Sequence, residues 1–214
     1  MKSNVNNERV YMKFVKENFY DVLRLIINQV GIAIFSIVIY TAAGSVKLES
    51  ETATFFIKVL ISVFSTVFYY ALIYTVSWDW GAKDKIRIDG NRMAPDNYKG
   101  LKLALIANIP NFVLSFIYAL TFGIYLLGAE WIATVSGIAN ILTRFWMAIY
   151  LGIIQGIFVS LESAEAPAMY LYHFCQAIGF LIIPIIAILI THFGYLMGRS
   201  ERRIFGFIKT KKQS

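Results

Sequence analysis

Long apolar runs separated by short polar stretches dominate the pattern along this chain. A helix needs about 20 apolar residues to cross the hydrocarbon core of a bilayer. Runs of that length cover 22–43, 55–78, 103–122 and 174–197. A further apolar stretch, 123–161, is interrupted by Glu130 and Arg144. The pattern therefore predicts an all-α fold, a polytopic transmembrane helical bundle that forms a single integral membrane domain over 1–214.

The stretch 123–161 decides the number of spans. If the chain crosses, turns at Arg144 and crosses back, there are six spans, and 18 of the 20 lysines and arginines lie on the side of the N-terminus. One long helix gives five spans and leaves Arg144 inside the membrane. Basic residues in short loops favour the cytoplasmic side, so we expect six spans. Because 131–143 and 145–161 are short for full crossings, four spans plus a re-entrant pair of half-helices is an alternative, as are five spans.

The same charge pattern predicts the outer segments of the domain. Residues 8–21 have helical amphipathic spacing and are expected to form an interfacial helix or to extend the first span. Gly81 is expected to end the second span and to open a cytoplasmic loop over 81–100, in which Asp89, Gly90 and Asn91 read as a turn. The basic tail, 199–214, is expected to lie on the inner leaflet. We therefore expect a cell-membrane protein with both termini cytoplasmic.

Composition agrees with this placement. The chain of 214 residues is 58% hydrophobic and only 15% charged, whereas soluble domains carry roughly 25% charged residues. The net charge of +7 would suggest nucleic acid for a soluble protein. Here the basic residues flank apolar spans, so the lipid bilayer and its anionic headgroups are the expected partners and nucleic acid is not.

A few polar or helix-breaking residues lie within the apolar runs, where they are costly without a partner. They form the candidate intramembrane site, which comprises Asn108, Pro110, Asn111, Asn140, Arg144 and Gln155. Pro110 frees the carbonyl of Ile106, so the third span is expected to hold either a solute site at a helix break or a polar clamp between helices. Arg144 with Asn140 is the strongest single candidate for function. Under the six-span plan, however, Arg144 lies at the cytoplasmic surface as a topological anchor.

Two small-residue and proline patterns predict helix packing rather than chemistry. Gly152 and Gly156 form a small-xxx-small pair that lets helix backbones approach closely. Pro184 frees the carbonyl of Phe180 and predicts a kink in the last span.

Known chemical motifs are missing from the sequence. The single cysteine, Cys175, cannot form an internal disulfide, and His173 and His192 are too far apart to share a metal. The segment Asp89–Met93 departs from the DGxxAR opening of phosphatidyl-alcohol transferases, because the Ala-Arg pair is missing. We therefore expect no enzymatic activity, no metal and no cofactor.

Two functions from different classes remain. The first is a small transport or channel-type component that works as an oligomer or with partner membrane subunits. In size and plan the chain resembles the substrate-binding subunits of energy-coupling-factor vitamin importers. Their AxxxA motif on the first span is not matched, because Ile37 follows Ala33 by four residues. The second is a non-transporting membrane scaffold or regulatory subunit that uses its basic loop and tail.

Overall fold

The computed structural model describes residues 12–45, 51–158 and 166–202, and the regular structure in these ranges is helical. The α-helices are α1 (Phe19–Ser45), α2 (Glu51–Asp89), α3 (Lys99–Ala107), α4 (Ile109–Leu126), α5 (Ala133–Trp146), α6 (Leu151–Phe158), α7 (Ala166–Ile182) and α8 (Pro184–Arg199). Short 3₁₀ turns precede α5 at Glu130–Ile132 and α6 at Ala148–Tyr150. The expected all-α class is confirmed for the described residues.

Within the described residues, four helical stretches are long and apolar enough to cross a membrane. They are Phe19–Ala42, Thr52–Asp89, Ile109–Leu126 and Met169–Arg199. The two segments Glu130–Trp146 and Ala148–Phe158 are long and apolar enough to cross a membrane only when they are taken together. They are bent by 80° at the break between them. The described residues thus offer four or five crossings, and the six-span expectation is not confirmed.

Contacts between the helices define the direction in which each one runs. α8 runs parallel to α2, because Gly194 packs against Tyr74 and Gly198 packs against Trp78. α7, which α8 continues, runs antiparallel to α4, since Tyr118 contacts His173 and Ser115 contacts Phe180. The start of α1, the end of α2, all of α3 and the end of α8 therefore meet at one end of the bundle, here called the basic end. The end of α4 and the starts of α2 and α7 lie at the opposite end.

The stretch that was ambiguous in sequence turns back on itself. α5 starts just after α4, at the opposite end, and runs inward to Trp146. α6 then runs antiparallel to α2, because the Ile149 carbonyl accepts hydrogen bonds from Ser62 and Thr66 while Gly156 packs against Val59. Both halves of the pair therefore lead to the opposite end.

The predicted close approach at Gly152 is confirmed. A methyl group there would lie 2.7 Å from the Lys58 carbonyl oxygen and 2.7 Å from the Ser62 Cβ, so only glycine fits without a shift. The side chain of Ser62 fills the same contact, because its hydroxyl oxygen accepts from the backbone N–H of Gly152 at 3.1 Å. The small residue at Gly152 is what lets α6 lie directly on α2.

The expectation that Gly81 ends the second span is wrong. α2 continues through Gly81 to Asp89, 39 residues in all, which at 1.5 Å per residue is about 58 Å and far longer than a ~30 Å hydrocarbon core. Gly81 is required by packing instead, because a methyl group would collide with the Tyr195 carbonyl and lie 2.8 Å from the Arg199 nitrogen.

The predicted turn after Asp89 is confirmed, and it is where α2 ends. Asn91 adopts a left-handed φ of 54°, and the Arg92 N–H donates to the Arg87 carbonyl at 2.8 Å, the pattern of a Schellman cap. The predicted loop 81–100 is therefore helical up to Asp89 and again from Lys99.

The predicted N-terminal helix lies only partly within the described residues. Residues 12–17 are helical and join α1 through one turn at Asn18, whose side chain donates to the Phe14 carbonyl at 2.8 Å. Lys102 of α3 lies 5.5 Å from the Phe14 ring, so this segment rests against the basic end. Residues 8–11 and, in the tail, 203–214 lie outside the described residues.

Candidate functional site

The structure divides the six candidate residues into three separate groups. Asn108, Pro110 and Asn111 lie at the break between α3 and α4. Asn140 and Arg144 lie together on α5, and Gln155 lies apart on α6, where it accepts a hydrogen bond from the Tyr40 hydroxyl.

The first group is a clamp between helices. Asn111 is completely buried and forms a reciprocal amide pair with Gln29 of α1, with N···O distances of 2.5 and 3.1 Å. Asn111 also donates to Asn108 at 2.7 Å and accepts from the Trp146 indole at 2.6 Å. Since an amide side chain has two N–H donors and two acceptor lone pairs, Asn111 is fully satisfied and has no group left for a solute.

The helix break at this clamp follows from local chemistry. Pro110 lies in the first turn of α4, where its missing N–H costs nothing. Asn108 covers the end of α3 by donating to the Ala104 carbonyl at 2.8 Å. Of the two interpretations given to this break, the structure therefore supports the clamp.

The second group, Asn140 and Arg144, keeps N–H donors that have no acceptor among the described residues. Arg144 donates from Nε to Asn140 at 2.7 Å and from Nη2 to Gln176 of α7 at 2.6 Å, and the Tyr118 hydroxyl lies beside the same guanidinium. A guanidinium has five N–H donors, so at least two N–H groups of Arg144 have no acceptor among the described residues.

Gln176 is also incompletely bonded. It is completely buried, and its amide oxygen must face Arg144, because arginine only donates. Its Nε2 then has no acceptor within the described part of the chain. The charged Arg144 and the neutral Gln176 thus both have N–H groups without an acceptor among the described residues.

The structure places Arg144 away from the basic end, and its expected position at the cytoplasmic surface stays a prediction. Its partner Gln176 lies seven residues from the Met169 end of the Met169–Arg199 rod, well away from Lys99 and Arg199 at the basic end. Measured along the helix, Arg144 is about 21 Å from Glu130 at the opposite end. α5 ends just after Arg144, and the next residue beyond it, the buried Met147, packs against α4.

Arg144 has no counterion in the described residues. The ion pairs there involve Lys13, Lys83, Lys85, Arg87, Lys99 and Lys102. Glu130, the carboxylate suggested by the sequence, is too far along α5 to reach the guanidinium. Two amides and a tyrosine hydroxyl do not neutralise its positive charge.

A cleft opens beside this charge. It has a volume of about 240 Å³ and lies between α5 and α7, which both pack on α4. Its lining is aromatic and polar and consists of Tyr118, Phe122, Tyr125, Ala133, Ser136, Gly137, Asn140 and His173. Asn140 is both part of the lining and a hydrogen-bond partner of Arg144, so the guanidinium lies behind the cleft wall, one side chain away from the cavity.

The cleft is closed beyond Arg144. Ser115 donates to the Phe180 carbonyl at 3.1 Å and contacts the Met147 sulfur at 3.3 Å, and all three residues are completely buried. Phe180 is the residue whose carbonyl Pro184 frees, and Ser115 satisfies that acceptor. The helix is interrupted at Ile183, just before Pro184, and the predicted kink stays a prediction. The described residues thus form a blind cleft rather than a continuous pore.

At the basic end, in contrast to Arg144, cationic side chains are paired with carboxylates. Asp84 and Lys99 form a buried ion pair with a 2.8 Å N···O distance, and the Tyr195 hydroxyl donates to the same carboxylate at 3.0 Å. Asp96 nearby is paired with Lys102. Partial burial raises the pKa of Asp96, but hydrogen bonds from Lys102 and the Tyr98 N–H and the charges of Lys102 and Lys99 outweigh it and lower that pKa overall.

Several residues of these clusters were missed in the sequence. Gln29 and Gln176 are isolated amides within apolar runs, which is the same signal that singled out Gln155. Gly194 and Gly198 form a small-xxx-small pair in the last span. Trp146 and Tyr118 carried no signal, because an aromatic residue in a span is as readily apolar packing as a hydrogen-bond partner.

The described residues contain no group of three or more histidine, cysteine or acidic side chains able to hold a metal ion. Comparison with protein-family models, curated proteins and solved structures gives no match for this chain. The resemblance in plan to vitamin-importer subunits gains no support from these comparisons, and function must be argued from the cleft.

Proposed function

We propose that the chain is a small transport component of the cell membrane that receives a solute in the cleft between α4, α5 and α7. The observation that carries this proposal is the half-buried guanidinium of Arg144, which has no counterion among the described residues and is bonded to Asn140 in the wall of an open cleft. An ionisable side chain within a membrane-spanning bundle is typical of a functional site.

The proposed placement in the membrane has four crossings and a re-entrant pair. The four long stretches cross the bilayer, and α5 and α6 enter and leave on the same side. The basic end carries most of the basic residues and is assigned to the cytoplasm, so both termini are cytoplasmic and the cleft opens to the outside. Residues 8–21 then lie at the cytoplasmic interface.

The blind cleft favours a binding component over an open channel. Packing of Ser115, Met147 and Phe180 blocks the way beyond Arg144. A solute can pass only if these helices move, and one small chain offers few surfaces to drive that movement. We therefore propose that the protein works as an oligomer or with partner membrane subunits.

The scaffold alternative is supported less well. It uses the segment 81–100 and the basic tail 199–214, yet Lys83, Lys85 and Lys99 of the first segment each pair with an aspartate. This pairing lowers the positive charge that the segment can offer to an acidic partner or to anionic lipid.

Thiol labelling tests the proposed function. In a Cys175→Ser background, Gly137→Cys places a thiol in the cleft, whereas Ile138→Cys places one on the neighbouring exposed apolar face of α5. A small hydrophilic thiol reagent added to intact cells is expected to modify the first variant and not the second, because its reaction requires water. Equal modification of the two, or none of Gly137→Cys, would contradict a water-filled cleft open to the outside.

A further inference from the structure

The free donors beside the cleft indicate what kind of ligand fits. At least two N–H groups of Arg144 and the Nε2 of Gln176 have no acceptor among the described residues. Both side chains are donors at these atoms, and one is cationic. A guanidinium binds a carboxylate or phosphate through paired N–H···O bonds. The missing group is therefore an anion with at least two acceptor oxygens.

The walls of the cleft indicate the rest of the ligand. Tyr118, Phe122, Tyr125 and His173 line it, with the Phe122 and His173 rings 5.7 Å apart in an edge-to-face arrangement. Such walls favour an apolar or planar body. The volume of about 240 Å³ lies below the 300–1,000 Å³ typical of pockets for drug-sized ligands, so the ligand is small.

We propose that this cleft binds a small amphipathic organic anion, whose anionic group is held by Arg144 and Gln176 and whose apolar body lies against the aromatic walls. The inference rests on the proposed function in one respect, namely that water and solutes reach the cleft. A carboxylate or phosphate could come from a free solute or from a lipid headgroup. The cleft is lined by aromatic rings over a short distance and has no long apolar channel for acyl chains among the described residues, which favours the free solute.

The test compares two thiol reagents of opposite charge. The Gly137→Cys, Cys175→Ser protein is placed in nanodiscs of zwitterionic lipid, and its modification rates with sulfonate and trimethylammonium methanethiosulfonates are measured. An anion-attracting site raises the encounter rate of anions about tenfold or more, so the sulfonate reagent is expected to react at least tenfold faster. Any change in thiol reactivity affects both reagents and cancels in their ratio.

Variants assign the preference to Arg144. Arg144→Gln is expected to bring the ratio close to one, and Arg144→Lys to keep most of it. Arg92→Gln at the exposed basic end removes the same unit of charge and is expected to leave the ratio unchanged. The free energy of unfolding of each variant, measured by denaturant titration, serves as the check on folding.

Protection identifies the occupant. Benzoate is expected to slow modification at lower concentration than acetate or inorganic phosphate, because only benzoate also contacts the aromatic walls. A reagent ratio near one in the parent, or a ratio that Arg144→Gln does not change, would overturn the anion site while leaving a water-filled cleft intact. No modification by either reagent would instead overturn the proposed function. Protection by phosphatidylglycerol nanodiscs without protection by benzoate would assign the site to lipid and overturn the small solute.

Discussion

Two cations that lie between helices, the buried Lys99 and the half-buried Arg144, have opposite surroundings. Lys99 lies 2.8 Å from the buried carboxylate of Asp84, which also accepts from Tyr195. Arg144 has two amides and a tyrosine hydroxyl around it and no carboxylate in the described residues. A compensated charge joins helices. A charge left without a counterion costs free energy, and its retention points to a ligand.

The packing around the two cations differs in the same way. At the basic end, α2 and α8 approach so closely that Gly81, Gly194 and Gly198 leave no room for a methyl group. Around the cleft, a methyl group added at Gly137 would meet no heavy atom of another helix within 4 Å. One region is a sealed joint, and the other is a gap bridged by a hydrogen bond between Arg144 and Gln176.

Removing Lys99 should have the largest effect. Lys99→Met leaves the buried Asp84 carboxylate with only the exposed Arg87 guanidinium, 3.7 Å away, as a counterion, and breaking a buried pair costs about 3–5 kcal/mol. We expect that loss in the free energy of unfolding, measured by denaturant titration of the purified protein in micelles.

The double variant Asp84→Asn, Lys99→Met provides the control for this change. Because neither side of the pair is then charged, we expect it to recover most of the lost stability. Equal destabilisation of the single and double variants would show that the ion pair is not what Lys99 contributes.

Gly198→Ala should have the next largest effect. The added methyl group would collide with the Trp78 carbonyl and lie 3.0 Å from the backbone nitrogen of Ala82, and backbone atoms cannot move aside cheaply. We expect a loss of about 1–3 kcal/mol. The matched control is Gly137→Ala, which adds the same methyl group in open space and should leave stability unchanged or slightly higher.

The sequence predicted the class of fold well and the local geometry unevenly. Apolar runs of about 20 residues predict membrane-spanning helices, because the thickness of the hydrocarbon core sets the length of such a helix. Pro184 marks the break between α7 and α8 because a missing N–H is a local property. Gly81 was misread as a helix end because the feature that keeps it helical, contact with Tyr195 and Arg199, is more than 110 residues away in the chain.

The sequence predicted which polar residues belong to the candidate site, but it did not predict which of them lie together. An amide or arginine in an apolar run is visible in any sequence, which is how Asn111, Asn140 and Arg144 were found. Which of them is saturated depends on partners such as Gln29 and Gln176, which lie on other helices. Charge counting placed Arg144 at a surface, because a re-entrant pair and two full crossings leave every other basic residue on the same side of the membrane.

Asn111→Leu should have a moderate effect. It removes a saturated amide that joins α1, α4 and the Trp146 indole. Side-chain hydrogen bonds between membrane helices average about 0.6 kcal/mol and reach about 1.7, so we expect a loss of about 1–2 kcal/mol in the same titration. Gln155→Leu, which removes one partner of Tyr40, should cost less. A larger loss for Gln155→Leu would contradict the clamp at Asn111.

Arg144→Gln should have the smallest effect on stability, and this makes the contrast with Lys99 sharpest. The substitution gives up the hydrogen bonds to Asn140 and Gln176, each worth about 0.6 kcal/mol. It also removes a half-buried charge that has no counterion among the described residues, and holding such a charge inside a membrane bundle costs free energy. These contributions oppose each other, so we expect the free energy of unfolding to stay within about 1 kcal/mol of the wild type or to rise.

Arg144→Lys keeps the charge and loses the planar fork, so it should be no more stable than Arg144→Gln. A loss for Arg144→Gln as large as that for Lys99→Met would show that Arg144 joins helices as Lys99 does, and the distinction between a sealed joint and a ligand site would fail.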